Sequence, residues 1–382
     1  MISTEVYCTA PWNGITVQVN GEVTTCCAGR DVLGNLNSES ISNIINNKKL
    51  NDIRNELISG NIPSNCFFCK KEIEINGFSS LRNHYLKYYK NTSKMELKML
   101  DIRWSNICNL ACVYCGPELS STWSKILNIK NTTTKREYNL ELLEFILDHV
   151  DTVNEILLVG GEPLLMKQNH VLFEKLNHNA QISIITNLSV DLENMPAIKF
   201  LRNRPPEKIN WNVSLENTHK QFEYIRNGAS WDVMVKNLKF LTKHWPTTIT
   251  IEMVYNVFSA LTLDRTIEEL QQFGNLKFTL QTISDYKNKN VLNPFAMPDT
   301  LKELFKQALT NAINLQNNKH GIDAHLYPIA NADDILQNLN QKHITVSLAD
   351  FEQKLDDLDR HSTSKCRIIF KDQYNLIKQY LK

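Results

Sequence analysis

Six short apolar runs recur along residues 97–281, and the chain between them is helical in pattern. The runs are Leu97–Arg103, Glu155–Val159, Gln181–Thr186, Ile209–Leu215, Thr248–Val254 and Leu276–Gln281. Amphipathic segments such as Leu140–His149 and Trp231–Leu241 separate them. A strand followed by a helix, repeated, demands a parallel sheet, because each strand must cross over through its helix before pairing with the next. Eight such units close a barrel and six do not. The expected architecture is therefore α/β, an open, partial (β/α)6 TIM-like barrel. Beyond Pro298 the pattern turns helical, over Thr300–Ile313, Ala332–Asn338, Leu348–Leu358 and Lys371–Leu381. Before the barrel lie a strand-like run, Ile15–Val19, and a helical stretch, Ile41–Ile58. The division expected is an accessory region at 1–92, the barrel at 93–290 and a helical extension at 291–382.

Cysteine is the second constraint. Nine occur, and eight of them lie between residues 8 and 115, with Cys366 apart. The first residues, Met1–Glu5, lack the basic-then-apolar layout of a secretory signal. The apolar runs are too short to span a bilayer. A cytoplasmic chain is expected, and in a reducing compartment clustered thiols favour metal binding over disulfides. A formal net charge of +1 gives no electrostatic reason for a nucleic-acid or membrane partner.

Three of the thiols fall within one loop, Cys108-Asn109-Leu110-Ala111-Cys112-Val113-Tyr114-Cys115, directly after the first barrel strand. Soft thiolates select iron–sulfur clusters or zinc. No Cys or His follows closely to close a four-ligand structural zinc site. Three ligands on a four-iron cubane leave one iron open, and an open iron can chelate an amino acid.

The loop resembles the signature of the radical S-adenosylmethionine (SAM) superfamily, including an aromatic, Tyr114, just before the third cysteine. The partial (β/α)6 barrel of that superfamily agrees with the strand count. The resemblance implies a 4Fe–4S cluster on Cys108, Cys112 and Cys115. That cluster would reductively cleave SAM to a 5′-deoxyadenosyl radical, which abstracts hydrogen from a substrate. Gly160-Gly161-Glu162-Pro163, ending the second strand, looks like the family element that binds the methionine amino group of SAM. Further SAM contacts are expected from Thr186 and Asn187 at the third strand end and Ser214 at the fourth. Glu216 and Asn217 lie just beyond, and the guanidinium of Arg226 suits bidentate capture of the SAM carboxylate. Val254 and Asn256 are candidates for the adenine. Each has a plainer reading as strand-to-loop punctuation or a solvated helix-end charge.

The remaining thiols form a second set. Cys8, a turn at Gly21, Cys26-Cys27, then Cys66-Phe67-Phe68-Cys69 supply two pairs. The layout suits a hairpin that returns Cys8 and Cys26 to one end. It resembles the SPASM and twitch accessory domains, which hold auxiliary 4Fe–4S clusters, though here the element precedes the barrel. The resemblance implies ligands Cys8, Cys26, Cys66 and Cys69, and leaves open whether Cys26 or Cys27 ligates. A four-cysteine zinc site would use the same thiols. A closed auxiliary cluster would relay electrons, with an external donor such as flavodoxin or ferredoxin feeding the protein.

A peptide or protein side chain is the substrate the resemblance favours, and a carbohydrate or amino sugar is the small-molecule alternative. Two other classes stand beside the enzyme: a non-catalytic iron–sulfur electron carrier and a zinc-stabilised binding module. Gly-Gly-Glu and the strand–helix alternation count against a carrier, which needs neither. No general acid or base for a final step is legible in the sequence.

Overall fold

The structure is a computed structural model and describes residues 6–90, 92, 94–130, 136–283, 291–341 and 346–381. Among the described residues ten strands make one sheet: β1 (Gly14–Val17), β2 (Glu22–Thr24), β3 (Gly34–Asn35), β4 (Met99–Ile102), β5 (Glu155–Leu158), β6 (Gln181–Thr186), β7 (Ile209–Ser214), β8 (Ile249–Tyr255), β9 (Lys277–Thr282) and β10 (Ile329–Ala330). Their order across the sheet is β10-β9-β8-β7-β6-β5-β4-β1-β2-β3. From β4 to β9 every neighbour is the next strand in sequence and every pair is parallel. This is the six-unit open barrel the alternation demands.

The two ends of the sheet hold what the sequence pattern missed. At one end β1 lies parallel to β4, so the N-terminal region shares the barrel's sheet instead of standing apart from it. Its hairpin partner β2 runs antiparallel, with Gly21 at φ +85° in the turn, a conformation that favours glycine. At the other end β10, within a region expected to be all helix, pairs with β9. Two residues are too few to carry a period. The helical stretch expected over Ile41–Ile58 is two helices, Ile41–Ile44 and Lys48–Ile58. Asn47 breaks it, because its side chain caps the second helix by accepting from the Leu50 N–H. The long C-terminal helix runs from Asp299 to His320, beyond the expected end at Ile313.

One contiguous apolar core runs from Val6 through the barrel to Ile377. It explains how regions of such different composition cohere. On the helix-covered face of the sheet, Leu100, Ile102, Ile156, Leu158, Ile182, Ile184, Trp211, Val213, Ile251 and Met253 are fully buried. The opposite face alternates with them and, Leu157, Ile185 and Val254 aside, is polar. Ser183 stands beside Asn210, Asn212 beside Thr250, and Ser214 beside Glu252, which in turn adjoins Thr279. A closed barrel packs this face with branched apolar residues. Here it is half-buried and rich in hydroxyls and amides, as the wall of a chamber for a polar ligand would be. Among the described residues, no helix is long and apolar enough to cross a membrane.

Candidate functional site

The three-thiol loop leaves the C-terminal end of β4 and is fastened along its length. The Cys108 carbonyl accepts from the Ser121 and Thr122 hydroxyls at 3.1 and 2.8 Å. The Cys112 carbonyl accepts from the Trp123 indole N–H at 2.9 Å. Ala111 and Val113 donate their N–H groups to the Asn227 and Ile225 carbonyls. The loop is therefore a rigid arc, and its thiols lie near enough to feel one another's charge. Burial pushes the Cys112 thiol up to about 12 and the Cys115 thiol up to about 11, with neighbouring thiols adding to both. Without a metal these groups hold their protons, so a bound centre must release them.

The Gly160-Gly161-Glu162 turn does not stand free at the end of β5. It runs against the loop, the Glu162 N–H donating to the Ile107 carbonyl at 2.7 Å and the Gly161 N–H to that of Ser105 at 3.2 Å. A Cβ at Gly161 would collide with the Ile107 carbonyl and the Asn106 backbone. Gly160 holds φ +112° beside the Ser105 carbonyl. The close approach these glycines permit is thus to the cluster loop itself. Glu162 is 0% exposed, and its carboxylate is largely committed. Oε1 accepts from the Thr186 hydroxyl at 2.7 Å and the Leu164 N–H at 3.0 Å, and Oε2 from the Asn187 N–H at 2.8 Å. Burial raises its pKa against these three bonds.

That network decides where the third strand's polar residues point. Thr186 lies on the buried side of β6, its hydroxyl between Glu162 and the Leu188 N–H, so it is a brace inside the protein. Asn187, one residue on, places its amide 3.6 Å from Cys108 Sγ. Ser214 is half-buried on the polar face of the sheet. Asn217 donates inward to Thr262 at 2.7 Å, and Asn256 caps the helix Val257–Ala260, so their amides serve the fold.

Arg226 is placed differently from the sequence expectation. Its fork is filled by Glu216, with Nη2 donating to Oε1 at 2.6 Å and Nε to Oε2 at 2.9 Å. The Tyr114 hydroxyl donates to the same Glu216 Oε1 at 2.7 Å. The bidentate face read as a clamp for a SAM carboxylate thus holds a carboxylate of the chain itself. Glu216, a residue without a firm role on sequence grounds, is the centre of this buried network.

The second set of thiols surrounds one small pocket, lined by Cys8, Cys26, Cys66 and Cys69 among others. Cys8 precedes the helix Ala10–Asn13, Cys26 follows β2, and Cys66 caps the helix Phe67–Asn76 that carries Cys69 in its first turn. Burial pushes Cys8 up to about 11 and Cys66 up to about 12. Cys27 is outside this lining, exposed, and within reach of the charges on Asp101 and Arg103. Among the described residues, no three His, Cys, Asp or Glu side chains converge closely enough to hold a single metal ion. Tetrahedral zinc would draw its sulfurs to about 3.8 Å from one another, given Zn–S of about 2.3 Å. Four soft thiols around one pocket are the donor set that an iron–sulfur cluster takes.

The polar sheet face supplies groups absent from the sequence-based candidates. Asp101 is buried beside Arg103, with Oδ1 and Nη1 at 2.8 Å and burial raising the Asp101 pKa. Glu252 accepts from the Gln281 amide at 3.0 Å, and burial raises its pKa also. The signal was present: period-two alternation of Asn, Ser, Thr and Glu with apolar residues over 209–215 and 248–254.

Residues 102–257 match the model of the radical SAM superfamily, and residues 8–70 match that of an iron–sulfur cluster-binding domain, SPASM. The chain thus carries a radical SAM domain with a SPASM domain ahead of it. A radical SAM domain implies a 4Fe–4S cluster and SAM, and a SPASM domain implies auxiliary iron–sulfur ligation. Similar solved structures include native anSMEcpe with bound AdoMet, at 18% identity over 58% of this chain and 60% of that one, TM-score 0.40. Streptococcus suis SuiB bound to precursor peptide SuiA is 17% identical over 66% of this chain and 60% of that one, TM-score 0.41. SuiB bound to S-adenosylmethionine is 18% identical over 68% and 62%, TM-score 0.41. The chain spans about three fifths of the length of these structures. No curated protein matches it.

Proposed function

We propose that this chain is a radical SAM enzyme that modifies an unactivated C–H bond of a peptide or protein side chain. The observation that carries the reading is the three-thiol loop pinned against the Gly-Gly-Glu turn at the end of a parallel open barrel, within the region that matches the radical SAM superfamily. Cys108, Cys112 and Cys115 would hold the catalytic 4Fe–4S cluster, and Cys8, Cys26, Cys66 and Cys69 the auxiliary one. With SAM bound, the catalytic cluster supplies one-electron reductive cleavage to methionine and a 5′-deoxyadenosyl radical that abstracts hydrogen.

The chain's own residues prepare the place for this. Gly160 and Gly161 let the turn lie against the loop, so the backbone of 160–162 would be available to hold the SAM amino group. Asn187, next to Cys108, and Ser214 face the ligand side of the sheet. Thr186 acts through Glu162, and Tyr114 and Arg226 through Glu216. The substrate lies on the polar face, where Asn212, Ser214, Thr250 and Glu252 offer donors and acceptors to a backbone or side chain. Solvent reaches Tyr114 and Cys115 by a cleft of about 370 Å³ under the helix Leu348–Arg360, which suits the approach of an external electron donor. Residues 1–92, 93–290 and 291–382 then act as relay, reactor and cover, joined by one sheet and one core.

Anaerobic reconstitution followed by SAM and dithionite tests the reading. 5′-Deoxyadenosine is expected from the wild type and not from the variant with Cys108, Cys112 and Cys115 all changed to Ala. Equal yields from both would defeat it.

A further inference from the structure

The buried pair Glu216–Arg226 has no place in the reading above beyond holding its own neighbourhood together. Burying two opposite charges gains little stability over packed apolar residues, because desolvation cancels most of the attraction. The geometry of this pair is informative. Its side chains are 0% and 7% exposed. Both oxygens of Glu216 are turned to Arg226, and one of them also to Tyr114. The Val254 N–H of β8 approaches the same oxygen at 3.3 Å. With Nε and Nη2 fixed in this way, the guanidinium has one direction left for Nη1. It donates to Cys112 Sγ at 3.8 Å. The ring of Tyr114, from the cluster loop, lies 5.7 Å from the guanidinium carbon.

We infer that Arg226 is a positioning residue for redox tuning: held by Glu216, it sets a cation and an N–H donor on one ligand sulfur of the catalytic cluster and raises its reduction potential. The inference rests on the reading that Cys108, Cys112 and Cys115 hold that cluster. Reduction adds negative charge to a cluster and its thiolates, so a cation and an N–H···S bond stabilise the reduced form. In a dry site the effect is large, because little water screens the charge. The two members of the pair must then act with opposite sign. Arg226 favours the reduced cluster, and Glu216 opposes it through space while aiming Arg226.

The test is a potentiometric titration of the anaerobically reconstituted full chain, followed by electron paramagnetic resonance. The signal that SAM perturbs identifies the cluster in question. Arg226→Gln is expected to lower the ratio of reduced to oxidised cluster about tenfold at fixed potential, a negative shift of about 59 mV for one electron. Glu216→Gln, which keeps an acceptor oxygen for Arg226, is expected to shift the midpoint positive. Arg226→Gln alone leaves a buried carboxylate unpaired. The neutral double variant Glu216→Gln/Arg226→Gln guards against a folding defect and is expected to lie negative of the wild type, the lost cation being the nearer charge. Shifts of the same sign in the two single variants, or midpoints unchanged in Glu216→Gln and the double variant, overturn the inference. Absence of any reducible, SAM-responsive cluster in the wild type would instead defeat the underlying reading.

Discussion

The two thiol sites are built on opposite plans. The barrel site takes three donors from eight consecutive residues, and its shape is imposed by surroundings: Ser121, Thr122 and Trp123 on one side, the Gly160–Glu162 turn on another. The N-terminal site takes four donors from three segments far apart in sequence, and the hairpin β1–β2 with the helix Phe67–Asn76 brings them together. A local set of ligands is cheap in chain entropy but needs a scaffold to hold its arc. A dispersed set is held by the fold itself. The two sites should therefore fail in different ways.

Gly161→Ala should show the largest difference between them. The new methyl strikes the Ile107 backbone, so the loop must leave the turn, and overpacking of this kind costs about 1–3 kcal/mol or more. About half of the reconstituted iron should be lost, with nearly all SAM-dependent 5′-deoxyadenosine, while the N-terminal site keeps its iron. Wild-type yield in this variant would break the argument that the turn shapes the loop. A finer contrast lies within the N-terminal site. Cys26→Ala should lose the auxiliary iron and Cys27→Ala should retain it, read as iron per chain. Equal retention would detach the cavity from ligation.

The smallest effect concerns the polar face of the sheet. Burial raises the Glu252 pKa, so its ionised form is disfavoured in the folded state. Stability linked to this group is full below the unfolded value of about 4.3 and is lost as pH rises through the folded value. Glu252→Gln should therefore melt above the wild type at pH 8 and level with it at pH 4. A lower melting temperature at pH 8 would show that the carboxylate is held by partners instead of merely tolerated.

Much of this was legible because β-branched runs bounded by polar turns have few other uses. Gln181–Thr186 is a strand with the bounds its residues suggest. The cysteine spacings carry their own geometry, as does the turn at Gly21. What escaped depended on pairing at a distance. Nothing local tells that Glu216 and Arg226 meet, or that Gly160 abuts Ser105 and Gly161 abuts Ile107 of the cluster loop. Cys26 and Cys27 sit in the turn that follows β2, and the fold around them decides which faces the pocket. Thr186 and Asn187 part in the same way, one inward to Glu162 and the other to Cys108.

The central claim is that the barrel site is open to SAM and the N-terminal site is closed by its four thiols. Its most direct test adds SAM to two reduced, reconstituted variants and follows their paramagnetic resonance spectra. Cys66→Ala/Cys69→Ala should keep about half the iron and show a cluster signal that SAM alters. The variant with Cys108, Cys112 and Cys115 changed to Ala should keep the other half and show a signal that SAM leaves unchanged. A SAM response in the second variant and none in the first would contradict the account.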